Sequence, residues 1–550
     1  MKKENGQQDL FKDIGNTKIV GVAGDKEIFP REVPDKYFTE TKEAFAYREV
    51  KFSCDSSFNS KIESFHLSLN EMRAYYATFM ENLLPKIGTT VEKEEITSFE
   101  FRYAKQAEVF KFNSNVEEDW EKVTIPDYRG PALEDGKWKG FYKTTFKGKK
   151  LELDERMVIR FQCVDYKAVV YLNGSYVGQH EGFFAPFEFD ITDYILEENE
   201  LVVECHNDIP TLGVGPVLDG DKLYAATGPG WDDPEIGWHH CPAGAGICGK
   251  VTLEVRPEVH IEDIFVRYTG EGQTEIRIGI DNYTNEVKED YELTIAYHPK
   301  NYIGVPIGCF SKTISYIGVG KNEYRFSIPI ENYRMWEPDT PWLYGAVVTL
   351  EKGDACSRRI GNFGLKTFIS DENSKPKGKF YFNGKPLVLR GANEMGHLQQ
   401  CVMNGDMDML IDDILIANLF TMIYYRITQR PVQEEIYDYF DMLGMMHQCD
   451  FPLFGFLRRP QFAEAVKQTV EMEHLIRSHV SSIMVTFINE PMSLRKTDNP
   501  NDKFSKRFEA KGHRHLQRDE LEAFFVAARK AIYVENPDRV IKNVEGDYDP

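Results

Sequence analysis

Short apolar runs separated by turn residues fill the middle of the chain. Between about residues 96 and 258, alternating or aromatic runs are interrupted by Gly, Asn or Asp every ten residues or so. The clearest unit is a strand at Ala168 to Leu172, the dipeptide Asn173-Gly174, and a return strand from Ser175. Asn-Gly favours the type I′ turn of a β-hairpin. The pattern predicts a sandwich of antiparallel sheets.

A second β-rich stretch covers residues 259–369. It starts afresh at His260 to Val266 and runs to Gly361 to Leu365. Its length of about 100 residues suits an immunoglobulin-like sandwich. Residues 1–95 carry the weakest pattern, in which Glu71 to Leu84 is predicted to form an amphipathic helix ended by Pro85.

From about residue 370 the pattern changes to alternating strands and helices. The predicted strands are the end of Phe380 to Gly391, Phe420 to Ile427, Met445 to Phe451, Ser482 to Ile488 and Val540 to Val544. The predicted helices between them are Met407 to Asn418, Pro431 to Leu443, Gln461 to His479 and Leu516 to Tyr533. Strands that alternate with helices indicate the start of a parallel β/α barrel. An eight-stranded barrel needs about three more strand–helix units.

Composition narrows the class of protein. The 550 residues suggest about three or four domains, here 1–95, 96–258, 259–369 and 370–550. Lys plus Arg 66 against Asp plus Glu 88 gives a net charge of −22, which argues against nucleic-acid and anionic-membrane partners. The sequence shows no secretory signal and no apolar run long enough to span a membrane. Nine scattered cysteines without CxxC spacing favour reduced thiols in the cytoplasm.

The strongest candidate for chemistry is the sequence Asn489-Glu490-Pro491. It follows the apolar run Ser482 to Ile488, so these residues end a predicted barrel strand. Polar residues at the carboxyl ends of barrel strands face the active site. A carboxylate fixed there beside an amide can exchange a proton with a bound sugar. The alternative is a strand-ending turn with a solvated glutamate.

Two other polar stretches allow two interpretations each. His239-His240-Cys241 lies near two aspartates, but adjacent residues of an extended chain point to opposite sides, so an aromatic-rich loop is preferred to a metal site. Residues 492–518 contain eight Lys and Arg residues. That loop either favours an acidic sugar or a phosphate, or is a solvated loop at the mouth of the barrel.

Several motifs together resemble glycoside hydrolase family 2, the family of β-galactosidases, β-glucuronidases and β-mannosidases. The motifs are Trp120-x-x-Val123-x-x-Pro126, the hairpin sequence Tyr171-Leu172-Asn173-Gly174, Gly182-x-x-x-x-Phe187 with Asp190-Ile191-Thr192, and WEPDTPWLY at 336–344. The resemblance implies a jelly-roll sugar-binding-like domain, an immunoglobulin-like sandwich and strands one to five of a (β/α)8-type barrel. Cys248 and Gly249 depart from the Trp and Arg common in the family, at a turn.

The resemblance assigns roles to residues of the barrel. Glu490 falls on the fourth strand and matches the general acid/base, and Asn489 matches the amide that holds the sugar 2-hydroxyl. Arg426 matches an arginine that steers the nucleophile, with a plain surface arginine as the alternative. Asn393 and His397 are substrate-binding candidates at the rim, although Met395 stands where the family often has histidine.

The family's nucleophile lies on strand seven and is therefore expected outside this chain. Glu545 is predicted to contact substrate, and a role as displaced nucleophile is less favoured. Glu394 and Asp450 are expected to bind hydroxyls or to be structural.

These assignments predict a retaining β-glycosidase that needs no metal and no organic cofactor. Its partners would be a carbohydrate substrate and a complementing chain or oligomer that covers the open barrel. The alternative is a non-catalytic carbohydrate-binding or assembly subunit. Sugar identity is not readable, since specificity in this fold depends on loops.

Overall fold

A computed structural model describes most of the chain. The described residues are 17–19, 48–50, 56–88, 90–105, 107–112, 119–129, 137–208, 226–227, 230–231, 245–373, 378–453, 457, 461–489 and 518–545. No helix within these ranges is long and apolar enough to cross a membrane. Two short strands near the amino terminus, β1 (Thr17–Ile19) and β2 (Arg48–Val50), pair in parallel.

The first large unit consists of two antiparallel sheets that enclose an aromatic core. Its strands are β3 (Glu92–Glu95), β4 (Ser98–Tyr103), β5 (Glu121–Thr124), β6 (Lys137–Lys147), β7 (Glu155–Phe161), β8 (Lys167–Leu172), β9 (Ser175–Glu181), β10 (Phe187–Asp190), β11 (Glu198–Asp208), β12 (Ala226–Thr227), β13 (Gly230–Trp231) and β14 (Val251–Pro257). One sheet has the order β10-β7-β14-β3 and the other β5-β4-β6-β11-β8-β9, while β12 and β13 pair separately. A 3₁₀ turn at Thr192–Tyr194 follows β10.

The predicted hairpin is confirmed in this unit. Strands β8 and β9 pair antiparallel, with Leu172 opposite Ser175. Asn173 (φ 52°) and Gly174 (φ 82°) form the turn, and positive φ at both central residues is the requirement of a type I′ turn. Burial alternates strictly along β8, as expected for a strand with one face in the core.

The second unit has seven strands in two sheets. They are β15 (Val259–Gly270), β16 (Gln273–Asn282), β17 (Tyr291–Pro299), β18 (Gly308–Ile314), β19 (Gly320–Pro329), β20 (Tyr344–Lys352) and β21 (Ala355–Phe363). The sheets have the orders β15-β16-β19 and β18-β17-β20-β21 and enclose an Ile-rich core. Seven strands in a three-plus-four arrangement suit the immunoglobulin-like prediction.

The third unit is a five-stranded parallel sheet with helices between its strands. A small antiparallel sheet precedes it, β22 (Phe368–Asp371), β23 (Lys379–Phe382) and β24 (Lys385–Leu387). The parallel strands are β25 (Gly391–Glu394), β26 (Tyr424–Ile427), β27 (Met446–Asp450), β28 (Ser482–Asn489) and β29 (Val540–Glu545), adjacent in chain order. The helices of the chain are α1 (Ser56–Ala77), α2 (His397–Met403), α3 (Met407–Leu419), α4 (Glu434–Leu443), α5 (Phe462–Ile476) and α6 (Arg518–Glu535).

Three predicted elements differ from the structure. The helix predicted at Glu71 to Leu84 is α1, which begins fifteen residues earlier because an apolar stripe that includes Phe65, Leu69 and Tyr76 packs on the helices of the third unit. The strand predicted from Phe420 begins at Tyr424, since Phe420 caps α3. The first parallel strand, predicted to end at Gly391, is β25 at Gly391–Glu394, and it is largely exposed because it lies at the edge of the sheet.

The second and third units are joined by a close contact at the end of α4. The indole nitrogen of fully buried Trp336 donates to the carbonyl of Asp441 at 2.8 Å. Gly444 ends the helix with a φ of 72°, and a Cβ there would lie 1.8 Å from the carbonyl oxygen of Pro338. Only glycine meets both requirements, the left-handed conformation and the lack of a side chain.

A buried ion pair joins α4 to the segment before β28. Nδ1 of His479 lies 2.8 Å from Oδ2 of Asp441, while Oδ1 of Asp441 accepts from the backbone and hydroxyl of Ser481. Burial lowers the pKa of His479, but the Asp441 carboxylate more than offsets burial, so the pKa rises to about 9. The histidine is therefore protonated at neutral pH.

This ion pair predicts a pH-dependent stability. Because the folded pKa of His479 exceeds its ordinary value of 6.5, its contribution is complete below about pH 6.5 and is lost as the pH rises towards 9. We expect the free energy of unfolding of the wild type to fall over that window, and the fall to be smaller in His479→Gln. Urea unfolding at several pH values measures the slope. His66→Gln, a change on the exposed side of α1, is the control; an unchanged slope in His479→Gln would contradict the assignment.

Candidate active site

A polar network lies at the carboxyl ends of β26, β27 and β28. Arg426 on β26 donates through Nε and Nη2 to Oδ2 of Asp450 on β27, at 2.9 and 2.5 Å. The same Nη2 donates to Oδ1 of Asn489, the last residue of β28, at 2.7 Å. The guanidinium therefore links β26 to both β27 and β28. The structure thus brings together Arg426 and Asn489, two of the residues predicted to bind substrate.

Asp450 is the buried anchor of this network. Its side chain is 1 % exposed. Besides Arg426, the backbone amide of Gln429 donates to Oδ2 at 3.1 Å and Nε2 of Gln448 donates to Oδ1 at 2.9 Å. Burial raises the pKa of Asp450, and Arg426 acts in the opposite direction. The four donors aimed at this carboxyl group favour its charged form and offset part of the effect of burial, but the pKa stays above its ordinary value.

Gln448 extends the network across the interior of the sheet. Its Nε2 also lies 2.7 Å from the hydroxyl of Thr486 on β28 and 2.9 Å from Oε1 of Glu545 on β29. Its Oε1 accepts from the hydroxyl of Tyr424 at 2.6 Å. One amide thus contacts side chains of β26, β27, β28 and β29. Gln448, Thr486 and Tyr424 were not among the predicted site residues. Tyr424 and Gln448 lie two residues before Arg426 and Asp450, so the alternation of a strand could have placed them on the same face.

Glu545 lies at the end of β29, and its carboxylate is held from two sides. Nζ of Lys542 is 2.7 Å from Oε2, while Gln448 binds Oε1. Burial raises the pKa of Glu545, but Lys542 and Gln448 more than offset burial, so the pKa is lowered. The group is an ionised acceptor at neutral pH and is joined to Arg426 through Gln448 and Asp450.

Asn393 and His397 lie apart from these hydrogen bonds. Asn393 is exposed on edge strand β25, in register with Arg426. His397 begins α2, and its Nε2 lies 2.5 Å from Oδ2 of Asp413 on α3. Glu394 is buried and its Oε1 accepts from the amides of Gly396 and Leu398, so it caps α2. The substrate-binding roles of Asn393 and His397 stay predictions.

Some predicted features fall outside the described residues. They are Glu490, which directly follows Asn489, the basic stretch before α6, and His239-His240-Cys241.

Comparisons with known proteins identify the family. Residues 110–212 match the model described as glycosyl hydrolase 2 galactose-binding domain-like, and residues 259–365 match that of glycosyl hydrolases family 2. The β-galactosidase of Thermoanaerobacter pseudethanolicus is 27% identical over 361 residues, which cover 62% of this chain and 43% of the relative. Rat β-glucuronidase is 24% identical over 365 residues, 63% of this chain and 52% of the relative.

Solved structures show the same fold. The crystal structure of a Bacteroides uniformis β-glucuronidase aligns with a TM-score of 0.62 at 20% identity, covering 82% of this chain and 52% of that one. A structure described as a putative β-galactosidase from Bacteroides fragilis aligns with a TM-score of 0.63 at 17% identity and covers 83% and 64%. The chain thus carries two domains of glycoside hydrolase family 2, and the relatives and solved structures support the same family. It spans about half the length of the relatives that it matches.

The geometry predicts a large stability cost when Arg426 is removed. Arg426→Ala leaves Asp450 buried without its charged partner, so we expect a loss of about 3–5 kcal/mol of unfolding free energy. The matched control is Arg325→Ala, which breaks a pair with Glu323 in which both side chains are about half exposed and should cost about 0–1 kcal/mol. Chemical unfolding measures both.

A double variant separates the pair from its surroundings. Arg426→Ala with Asp450→Ala removes the unpaired charge, so its loss should be smaller than the sum of the two single losses. Equal effects of Arg426→Ala and Arg325→Ala would show that the buried pair does not stabilise the sheet.

Proposed function

We propose that the protein is a β-glycosidase that hydrolyses a terminal β-linked sugar with retention of configuration. Glu490 is the general acid/base, Asn489 and Arg426 bind and orient the sugar and the second carboxylate, and Glu545 contacts substrate. The relatives named as β-galactosidases and β-glucuronidases support the reaction class. The chemistry needs no metal or organic cofactor, because two carboxyl groups carry it.

The hydrogen bond between Arg426 and Asn489 is the observation that carries this proposal. It fixes the amide directly before Glu490, with its oxygen bound to Nη2 of Arg426 at 2.7 Å. The Nδ2 group of Asn489 can then donate to a sugar hydroxyl. Asp450 holds the guanidinium from behind, so the geometry is set before substrate binds. Such preorganisation is what transition-state stabilisation requires.

The five parallel strands are proposed to be the first five of a (β/α)8-type barrel. Their order in the sheet follows the chain, as in such barrels, and β25 and β29 form the two edges. Polypeptide outside these 550 residues, or a complementing chain or oligomer, would close the barrel between those edges. The greater length of the relatives supports this proposal.

The nucleophile is proposed to come from that additional polypeptide. A retaining glycosidase places its two carboxyl groups about 5–5.5 Å apart. Arg426 is charged and partly buried at the carboxyl ends of the strands, and it can orient an incoming carboxylate by charge-assisted hydrogen bonds. Asn393, His397 and the other rim groups would contact the sugar at its periphery.

A cytoplasmic location is proposed because the described cysteines are free thiols. None of the seven cysteines within the described ranges forms a disulfide. Sγ of Cys248 donates to Sγ of Cys163 at 3.2 Å. Reduced thiols at this distance suit a reducing compartment.

Substitution of the proposed acid/base tests the function. In the full-length protein, Glu490→Gln should lower kcat/KM on β-glycosides by about 10²–10⁴-fold, because general acid catalysis contributes that much. The loss should be greatest for substrates with poor leaving groups, which depend most on protonation. Steady-state kinetics on a series of aryl and alkyl β-glycosides provides the measurement.

Glu331→Gln is the matched control. Glu331 is an exposed glutamate of the second unit, far from β28, and the same change there should leave kcat/KM unaltered. A Glu490→Gln protein with wild-type kcat/KM would remove the acid/base assignment. A wild-type protein that binds β-linked sugars and hydrolyses none would overturn the glycosidase proposal.

A further inference from the structure

Three different metal-binding side chains converge between α2 and α3. His397 and Cys401 are four positions apart on α2, so both lie on the same face of that helix. Asp413 on α3 faces them. One ligand atom from each of the three lies within 4.8 Å of the other two. Nε2 of His397 and Oδ2 of Asp413 are the closest pair, at 2.5 Å.

The three side chains differ in exposure in a way that leaves one side open. Cys401 is 1 % exposed and belongs to the hydrophobic core beneath the helices. The side chains of Asp413 and His397 are 27% and 61% exposed. The thiol is thus the innermost of the three donors, the carboxylate lies between, and the imidazole is nearest to solvent. An ion can enter from solvent past His397.

The donor set selects a class of ion. Sulfur, imidazole nitrogen and carboxylate oxygen together suit Zn²⁺, which binds them at about 2.3, 2.0–2.1 and 2.0–2.2 Å. Donor atoms within 4.8 Å of one another can all reach such an ion through small side-chain rotations. Three protein ligands leave the fourth tetrahedral position for water. Magnesium and calcium prefer oxygen donors and would not use the thiol.

A second group of three possible ligands lies between α4 and the segment before β28. Asp438, Asp441 and His479 also lie within 4.8 Å of one another. There, however, Oδ1 of Asp441 is bound by Ser481 and Oδ2 by His479, so the donors are used inside the protein. That cluster joins α4 to β28. In the first cluster the side chains of His397 and Asp413 are both accessible to solvent, whereas in the second Asp441 and His479 are buried and Asp438 alone is exposed.

We propose that His397, Cys401 and Asp413 form a binding site for a Zn²⁺-class divalent ion. The ion joins α2 to α3 directly after edge strand β25, and it is separate from the network around Asp450. When it is bound, Nε2 of His397 serves the ion and not the sugar. Binding displaces the thiol proton of Cys401 and breaks the contact between His397 and Asp413, so affinity increases with pH. The site fixes the short helix α2, whose amino terminus is otherwise held by Glu394.

Cobalt is the probe for this site, since Co²⁺ replaces Zn²⁺ and reports thiolate ligation by its absorption. The untagged 550-residue chain, first treated with a chelator, is titrated with Co²⁺ and then with Zn²⁺. We expect a thiolate-to-cobalt charge-transfer band that saturates at one equivalent and is abolished by Zn²⁺. In Cys401→Ser the band should be lost. His397→Ala and Asp413→Asn should weaken binding by more than about tenfold, since even outer-shell changes cost about 10–100-fold.

The matched control is Cys309→Ser, which removes an exposed cysteine of the second unit. It should leave the band and its affinity unchanged. Zn²⁺ should raise the Tm of the wild type and of Cys309→Ser but not that of His397→Ala, an exposed position where the substitution leaves the core intact. Absence of the band in the wild type, or its persistence in Cys401→Ser, would overturn the site and leave an ordinary helix–helix ion pair above a core cysteine.

Discussion

The third unit depends on one buried carboxylate, that of Asp450. A carboxylate at 1 % exposure is stable only if donors replace its lost water, and here the donors come from Arg426, Gln448 and the backbone of Gln429. The two side-chain donors are in turn bound to other strands. Arg426 holds Asn489, and Gln448 holds Thr486 and Glu545. The need to solvate one charge therefore fixes the relative positions of four strands and of the residue before Glu490.

Linked ion pairs also join the second unit to the helices of the parallel sheet. Arg477 at the end of α5 binds Asp263 of the second unit and Glu535 of α6, both at 2.6 Å. Arg277 of the second unit binds the same Glu535 carboxylate. These paired charges lie at the amino-terminal side of the parallel strands, opposite to the network around Asp450. The contacts with the second unit and the candidate chemistry thus lie at opposite ends of the sheet.

Local sequence patterns predicted most helices, strands and turns. Features that depend on long-range contacts were not predicted. The hairpin at Asn173-Gly174 and the stop of α4 at Gly444 depend on residues next to them, and both were predictable. The place of Asn489 at the end of β28 was also predictable, because the apolar run before it is a strand. Helix α2 was not, since its capping group, Glu394, belongs to the preceding strand. The role of Gln448 could not be read either, because its partners Glu545 and Thr486 are 97 and 38 residues away.

The contact between Gly444 and Pro338 has a consequence for recombining domains among relatives. The end of α4 and the loop before β20 share one small space, which admits no side chain at residue 444. Trp336 from the same loop is bound to the last turn of α4. A chimaera that takes the second unit from one protein and the parallel sheet from another must therefore inherit this loop together with α4. A crossover at Glu258, between β14 and β15, takes the loop and α4 from the same parent. It therefore preserves the contact and is the better junction for exchange.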